Sequence, residues 1–344
     1  IREGFAPLLG NSVFVTNGET WKRQRRIIDP AFEGGRLRDV FPAMLEAGQA
    51  AVARLASTAD GTPQEIEAQA SHAAADVIFR TLFSIPIEHE VAAQVFDKFR
   101  EHQRAQPVLN LGAFLPLPKW FPRFHKRRAR QTAANIRALI TRLTAERMAR
   151  IKDGTAPDDL ATKIMTTADP QTGQTFDTEE MVDQVAIFFL AGHETSASAL
   201  AWALYLLALY PDWRLYPPVP MMVREAACPE RFRDRDVPKG AQIVLSPWHQ
   251  QRHERLWDNP DAFDPARFQT ENGREGLRCA YMPFSAGQRV CPGAGFAMIE
   301  GPLLLALLVR AYRFETVTDR PAMPVAHLTV RGRDGIWLRV RPRT

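Results

Sequence analysis

The stretch that most constrains this chain is Phe284–Gly293, F-S-A-G-Q-R-V-C-P-G. It sets one cysteine, Cys291, in a glycine-containing loop that runs straight into an apolar helix pattern. Pro292 reads as the first helical residue, where a missing N–H costs nothing. Gly287 and Gly293 allow a tight backbone and the close approach of a flat group. Free N–H groups at the helix start would point back toward the sulfur and favour a thiolate over a thiol.

A thiolate under backbone donors is what a metal needs from a cysteine. No Cys or His stands at ligand spacing from Cys291, which excludes a tetrahedral zinc site here. A haem iron needs only one protein ligand. The alternative for a lone Cys-Pro-Gly is a buried cysteine beside a capping turn. Phe284, Gly287, Arg289, Cys291 and Gly293 together fit F-x-x-G-x-R-x-C-x-G, and through them the chain resembles the cytochrome P450 family. In that family a cysteine thiolate ligates haem iron and pushes electron density toward O–O cleavage.

The resemblance implies a mainly α fold over one domain, residues 1–344, with a long central helix and a small β-rich portion. It implies haem b (iron protoporphyrin IX) held by Cys291. The reaction implied is insertion of one oxygen atom from dioxygen into a hydrophobic substrate. Electrons would come from a separate ferredoxin- or flavodoxin-type donor or a reductase. A peroxide-driven peroxygenase would share the cysteine loop. A non-catalytic haem-binding helical protein is the third reading.

Ala191–Ser196, A-G-H-E-T-S, lies within a long apolar pattern. Gly192 in mid-helix costs about 1 kcal/mol relative to Ala, which suggests close approach or local distortion. Thr195 can bond the carbonyl of Ala191 one turn back. Read alone, this is a polar seam on a packed helix. The stretch resembles the family's A-G-x-[DE]-T, which assigns Glu194 and Thr195 to proton delivery and places Ala191 against the haem. A hydroxyl and a carboxylate linked through water can supply the protons that O–O cleavage consumes. A peroxygenase needs no such pair.

Trp21 and Arg25 lie four apart on one helical face and match the family's W-x-x-x-R. Both are donors without acceptor capacity, suited to a haem propionate. Arg289 matches a further propionate contact, and Arg224 resembles a third. For any one of these arginines a solvated surface residue is the alternative. Arg267, in F-D-P-A-R-F, and Arg214 would belong to a buried Arg–Glu–Arg network behind the cysteine. Ala266 stands where the family often has Glu.

The family's E-x-x-R places a glutamate three residues before Arg214, but position 211 is Pro211. The short interval between Glu194 and Arg214 leaves no room for the helices the family has there. The join Trp213–Arg214 therefore reads as a splice over absent residues. The chain also starts at Ile1, as though a first sheet region were missing.

Phe188, Ala191, Val219, Pro220, Met221, Met222, Leu328 and Thr329 are candidates for an apolar substrate pocket, though each alone is more often plain core. A fatty acid, a terpenoid or a similar lipid would suit it. Residues 106–122 break helix with prolines yet are rich in Leu, Phe and Trp, so they would form a lid that could touch a membrane.

Net charge is +5, and Lys22, Arg23, Arg25 and Arg26 cluster on one helix, where an acidic electron donor could dock. A merely solvated helix face is the alternative. No zinc-finger spacing or other nucleic-acid motif is present, so nucleic acid is not expected as a partner. With three cysteines and no disulfide framework, a soluble cytoplasmic setting is expected, and an N-terminal membrane anchor stays open. Cys228 and Cys279 read as small buried or half-buried residues.

Periodicity predicts helices over 21–28, 37–55, 66–83, 91–104, 124–151, 177–210 and 296–314. Short strands are expected at 241–245, and at 328–330 paired with 336–340 across G-R-D-G. Asp177 with Glu180 has capping-box spacing.

Overall fold

The computed structural model describes residues 2–105, 127–209, 219, 221–260 and 268–343. Five helices lead up to the centre of the molecule: α1 (Arg2–Leu9), α2 (Gly18–Ile28), α3 (Gly34–Ala56), α4 (Ile66–Phe83) and α5 (Glu90–Ala105). A short 3-10 turn, Asp29–Phe32, follows α2, and strand β1 (Pro63–Glu65) precedes α4. Then come α6 (Arg127–Lys152), α7 (Leu160–Thr166) and the 32-residue α8 (Thr178–Leu209).

Apolar residues surround α8 on nearly all sides, and a helix of that kind must be enclosed by others. Helices α4 and α6 pack on it, as does the later α11 (Ala294–Ala311). Its start carries the reciprocal bonds of a capping box. The Glu180 N–H donates to Asp177 Oδ1 at 2.8 Å, and the Asp177 N–H donates to Glu180 Oε2 at 3.1 Å. Gly192 is needed for packing: a Cβ there would stand 2.4 Å from Ile78 Cδ1 on α4. Helix α8 runs unbroken through this point, so close approach is the reason for the glycine and distortion is not.

A buried polar knot ties α4, α6 and α7 together. Arg147 pairs with Asp159 and also donates to Thr162 Oγ1 and to the carbonyl of Phe83. Asp159 in turn caps α7 through the Thr162 N–H and accepts from Ser84 Oγ.

The C-terminal third holds the β structure. Strands β2 (Met222–Glu225) and β5 (Gln242–Leu245) form one antiparallel pair, β3 (Glu230–Phe232) and β4 (Arg235–Val237) another. Two short helices follow, α9 (Pro247–Gln250) and α10 (Glu271–Cys279), then α11. Strands β6 (Tyr312–Thr316), β7 (Pro324–Ala326), β8 (Val330–Gly332) and β9 (Trp337–Pro342) close the chain.

Two expectations are corrected here. Residues 328–330 do not pair with 336–340. Instead β8 pairs with β7, and β9 becomes the middle strand between β1 and β6. The alternate residues Ile336, Leu338 and Val340 are all completely buried, and that face finds cover in a three-stranded sheet rather than a hairpin. The last helix stops at Ala311, because Tyr312–Thr316 alternates as a strand and takes its partner from β9. Residues 106–122, Pro220 and the 213–214 join lie outside the described residues, as do Arg214 and Arg267.

Candidate functional site

The cysteine loop is built from backbone bonds. Ser285 and Gly287 turn the chain through left-handed φ of 66° and 70°. That turn lets the Cys291 N–H reach the carbonyl of Phe284 at 2.9 Å. Helix α11 begins at Ala294 with Gly293 as its cap, so Pro292 precedes the cap rather than opening the helix. A Cβ on Gly293 would sit 3.9 Å from Cys291 Sγ, so glycine keeps that side of the sulfur open. Cys291 itself is exposed. Desolvation by the surrounding loop pushes its thiol above the usual range, while the Gly293 N–H and Arg25 pull the other way. The expected helix-terminus pull on the sulfur is present but outweighed in the chain alone. A metal ion bonded to the sulfur supplies a far larger pull toward thiolate.

Beside this loop, α2 supplies an arginine cradle. Arg25 Nη1 donates to the carbonyl of Val290, next to the cysteine, at 2.8 Å. In return Arg289 Nη2 donates to the carbonyl of Thr16 at 2.8 Å and also reaches Asn17 Oδ1. Trp21 lies between them, with the Arg289 guanidinium 4.1 Å and that of Arg25 5.7 Å from its ring centre. Arg224, on β2, donates to Ser285 Oγ. Desolvation lowers the pKa of Arg289, and the neighbouring charges of Arg224 and Arg25 lower it further. Three guanidiniums thus crowd one spot, and among the described residues only Arg25 has a carboxylate partner, Asp29. That donor set fits a dianionic group such as a pair of propionates.

Helix α8 exposes a seam in an otherwise enclosed helix. Phe188 and Thr195 are half-buried and Ala191 is exposed. Thr195 Oγ1 donates to the carbonyl of Ala191 at 2.6 Å, as the sequence predicts. Phe32 bridges the two sides, its ring 5.8 Å from Phe188 on α8 and 6.5 Å from Phe296 on α11. Met221, Leu328 and Val290 are 42%, 38% and 40% exposed, apolar surface that a flat macrocycle or an apolar ligand would cover. Val219 and Met222 are half-buried.

Three expected placements change. Thr329 is fully buried and its hydroxyl donates to Glu194 Oε1 at 3.1 Å, so it faces away from a pocket and serves the carboxylate. The basic cluster on α2 is largely spent within the fold. Arg23 pairs with Glu180, Arg26 with Asp169, Arg25 with Asp29 and Lys22 with Glu19, leaving little free charge to steer a partner. Cys228 and Cys279 are exposed, their sulfurs beside Glu230 and Glu275.

Sequence reasoning missed Glu300. It is 1% exposed on α11, accepts from Ser196 Oγ at 2.6 Å, and its other oxygen has no partner among the described residues. Burial pushes its carboxyl up to about 8. The signal was a lone acid in the apolar run of α11. Between the unfolded value near 4.5 and about 8, the native state holds a proton that the unfolded state gives up. Stability should therefore fall as pH rises through that window. Glu300→Gln should flatten that decline by an amount on the order of a few kcal/mol, read from urea midpoints at pH 5, 7 and 9. An unchanged slope would show that Glu300 is ionised in the fold.

The cytochrome P450 family model matches residues 3–213 and 213–334, two segments that meet where the sequence reads as spliced. Cytochrome P450 4A10 of Mus musculus is 27% identical over 392 residues, covering 98% of this chain and 75% of that protein. An alignment that long against 344 residues leaves at least 48 positions with no counterpart here. Cyclooctat-9-en-7-ol 5-monooxygenase of Streptomyces melanosporofaciens is 28% identical over 351 residues, covering 90% of this chain and 74% of that protein. The crystal structure of the cytochrome P450DA heme domain superposes with a TM-score of 0.83, at 24% identity, over 99% of this chain and 82% of that one. With the family model spanning nearly all of its length, the chain belongs to the cytochrome P450 family and is a haem-thiolate monooxygenase.

Proposed function

We propose that Cys291 is the thiolate ligand, that Trp21, Arg25, Arg224 and Arg289 hold the haem propionates, and that Glu194 and Thr195 handle protons for oxygen activation. The observation that carries this reading is the crowding of three arginines against the cysteine loop. Haem bound there supplies the iron on which dioxygen is reduced. The balance is one dioxygen, two electrons and two protons, giving one oxygen atom to substrate and one water.

The chain's own residues do the rest. Arg25 and Arg289 orient an anionic edge while bracing the loop that carries the sulfur. Trp21 screens them from water on one face. Thr195, with its hydroxyl proton drawn onto the Ala191 carbonyl, keeps both lone pairs of Oγ1 free to accept a proton. Phe188, Ala191, Val219, Met221, Met222 and Leu328 favour a small hydrophobic substrate by excluding water. A fatty acid or a terpenoid is the class proposed, and a relative named as a cyclooctatenol monooxygenase supports the latter. Electrons come from a separate partner. The net charge of +5 favours an acidic donor of ferredoxin or flavodoxin type.

The test is the absorption spectrum of the haem-loaded, reduced protein under carbon monoxide. A strongly red-shifted Soret band is expected for thiolate ligation. An unshifted band, or failure to retain haem, would overturn the assignment. A panel of fatty acids and terpene alcohols, read by displacement of the resting Soret band, then ranks substrates.

A further inference from the structure

Glu194 is not turned toward Thr195. Adjacent residues on a helix point about 100° apart. Thr195 lies on the exposed seam, whereas Glu194 is only 6% exposed. Its Oε1 receives both Arg331 Nη2 at 2.7 Å and Thr329 Oγ1 at 3.1 Å. The acid is thus tied to β8 and its lead-in, behind the helix.

A second carboxylate waits on the other side of the same strand. Glu67, near the start of α4, accepts the N–H of Gly332, the residue after Arg331, at 3.0 Å. Arg331's charge also acts on Glu67. Burial, with Glu65 adding to it, pushes Glu67 up to about 7, so it changes charge near neutrality. Arg331 is 28% exposed, Glu194 7% by side chain, and Glu67 half-buried. One arginine with room to move therefore stands between a buried acid and a more accessible one.

The remaining charged neighbours do not compete for the arginine. His193 is buried against Ser71 Oγ at 2.7 Å, and desolvation lowers it to about 4, so it is neutral at pH 7. His327 is likewise lowered by burial and by Arg331. Glu65 caps α4 through the N–H groups of Glu67 and Ala68. Arg100 lies over the ring of Phe96.

We propose that Arg331 is a positioning residue that governs proton delivery by exchanging between Glu194 and Glu67. Protons then enter at the edge of β8 between α4 and α8. This rests on Glu194 and Thr195 being the proton-handling pair. While Arg331 holds Glu194, the acid is turned away from Thr195. When Glu67 releases its proton to water at the strand edge and draws Arg331 across, Glu194 takes that proton from the water. It then rotates and gives that proton up on the Thr195 side. Arg331 then returns to the emptied Glu194 carboxylate as Glu67 takes up a proton from solvent, so the guanidinium stays paired and one solvent proton has crossed per cycle.

Two readouts test this on Arg331→Gln, Arg331→Lys and Glu67→Gln, with Glu194→Gln to assign bands. The first is an infrared pH titration of the Glu194 carboxyl in the haem-loaded protein at rest. Arg331→Gln should raise its midpoint by about 1–3 pH units, the effect of removing an adjacent cation. Arg331→Lys should restore most of that shift, and Glu67→Gln should lower the midpoint.

The second readout is the share of consumed dioxygen released as hydrogen peroxide, using an artificial donor and the tightest-binding panel substrate. Glu67→Gln should raise that share severalfold, because Arg331 no longer leaves Glu194. Arg331→Gln should remove its pH dependence. If Glu67→Gln matches the parent protein in both readouts, the exchange is wrong. If Glu194→Gln leaves the peroxide share unchanged, the underlying pair is wrong instead.

Discussion

Cys291→Ser is expected to eliminate the red-shifted carbon monoxide band and to reduce monooxygenase turnover below detection. Serine keeps the size and the backbone bonds of the loop, including the N–H to the Phe284 carbonyl. It replaces a thiol, which a metal converts to thiolate, with a hydroxyl that stays protonated. Because Cys291 is exposed and its side chain fills no core space, folding stability should move by no more than about 0.5 kcal/mol. Parallel urea melts separate the two effects. A large stability loss would mean that the sulfur packs the core; a surviving thiolate band would mean that another cysteine ligates.

Arg147→Leu is expected to give the largest loss of stability of any single change outside the apolar core, about 3–5 kcal/mol. Arg147 and Asp159 each have side chains only 4% exposed. Removing the guanidinium leaves the carboxylate buried without its cation. It also strips the Phe83 carbonyl of a 2.6 Å donor and Thr162 Oγ1 of one at 2.9 Å. Against a typical total of about 5–15 kcal/mol, that is about a fifth of the fold's margin or more. The measurement is the urea midpoint at unchanged slope. A shift below about 1 kcal/mol would show that water reaches the knot.

The helical body was legible because its periodicity is strong and its caps are local. Residues 66–83 form α4 as predicted, and the Asp177–Glu180 cap closes as its spacing implies. The β portion was less legible. Strands of three residues, such as β1 and β8, carry almost no pattern, and their partners are set by distant chain, as β1 with β9 shows. The site divides in the same way. The cysteine loop and the Thr195 bond are local and could be read directly. What Thr329, Arg331 and Glu300 do depends on which helix each strand or turn meets, and no spacing in one segment encodes that. The α2 arginines mislead for a related reason. Charge is visible in sequence, but the acids that neutralise it, Asp169 and Glu180, lie more than a hundred residues away.

Glu180 has a consequence for the timing of assembly. The same carboxylate that closes the first turn of α8 also receives Arg23 of α2, at 2.5 Å from Nη1. The helix that carries Trp21 and Arg25 is therefore fastened to the starting point of the helix that carries Thr195. From Glu180 to Thr195 is about 22 Å of rigid rod at 1.5 Å per residue. The two halves of the site behave like jaws on one frame, whose separation is set by a joint far from the chemistry. A chain that has not yet closed that joint has no preset gap to receive a cofactor, so cofactor capture should follow the docking of α2 rather than precede it.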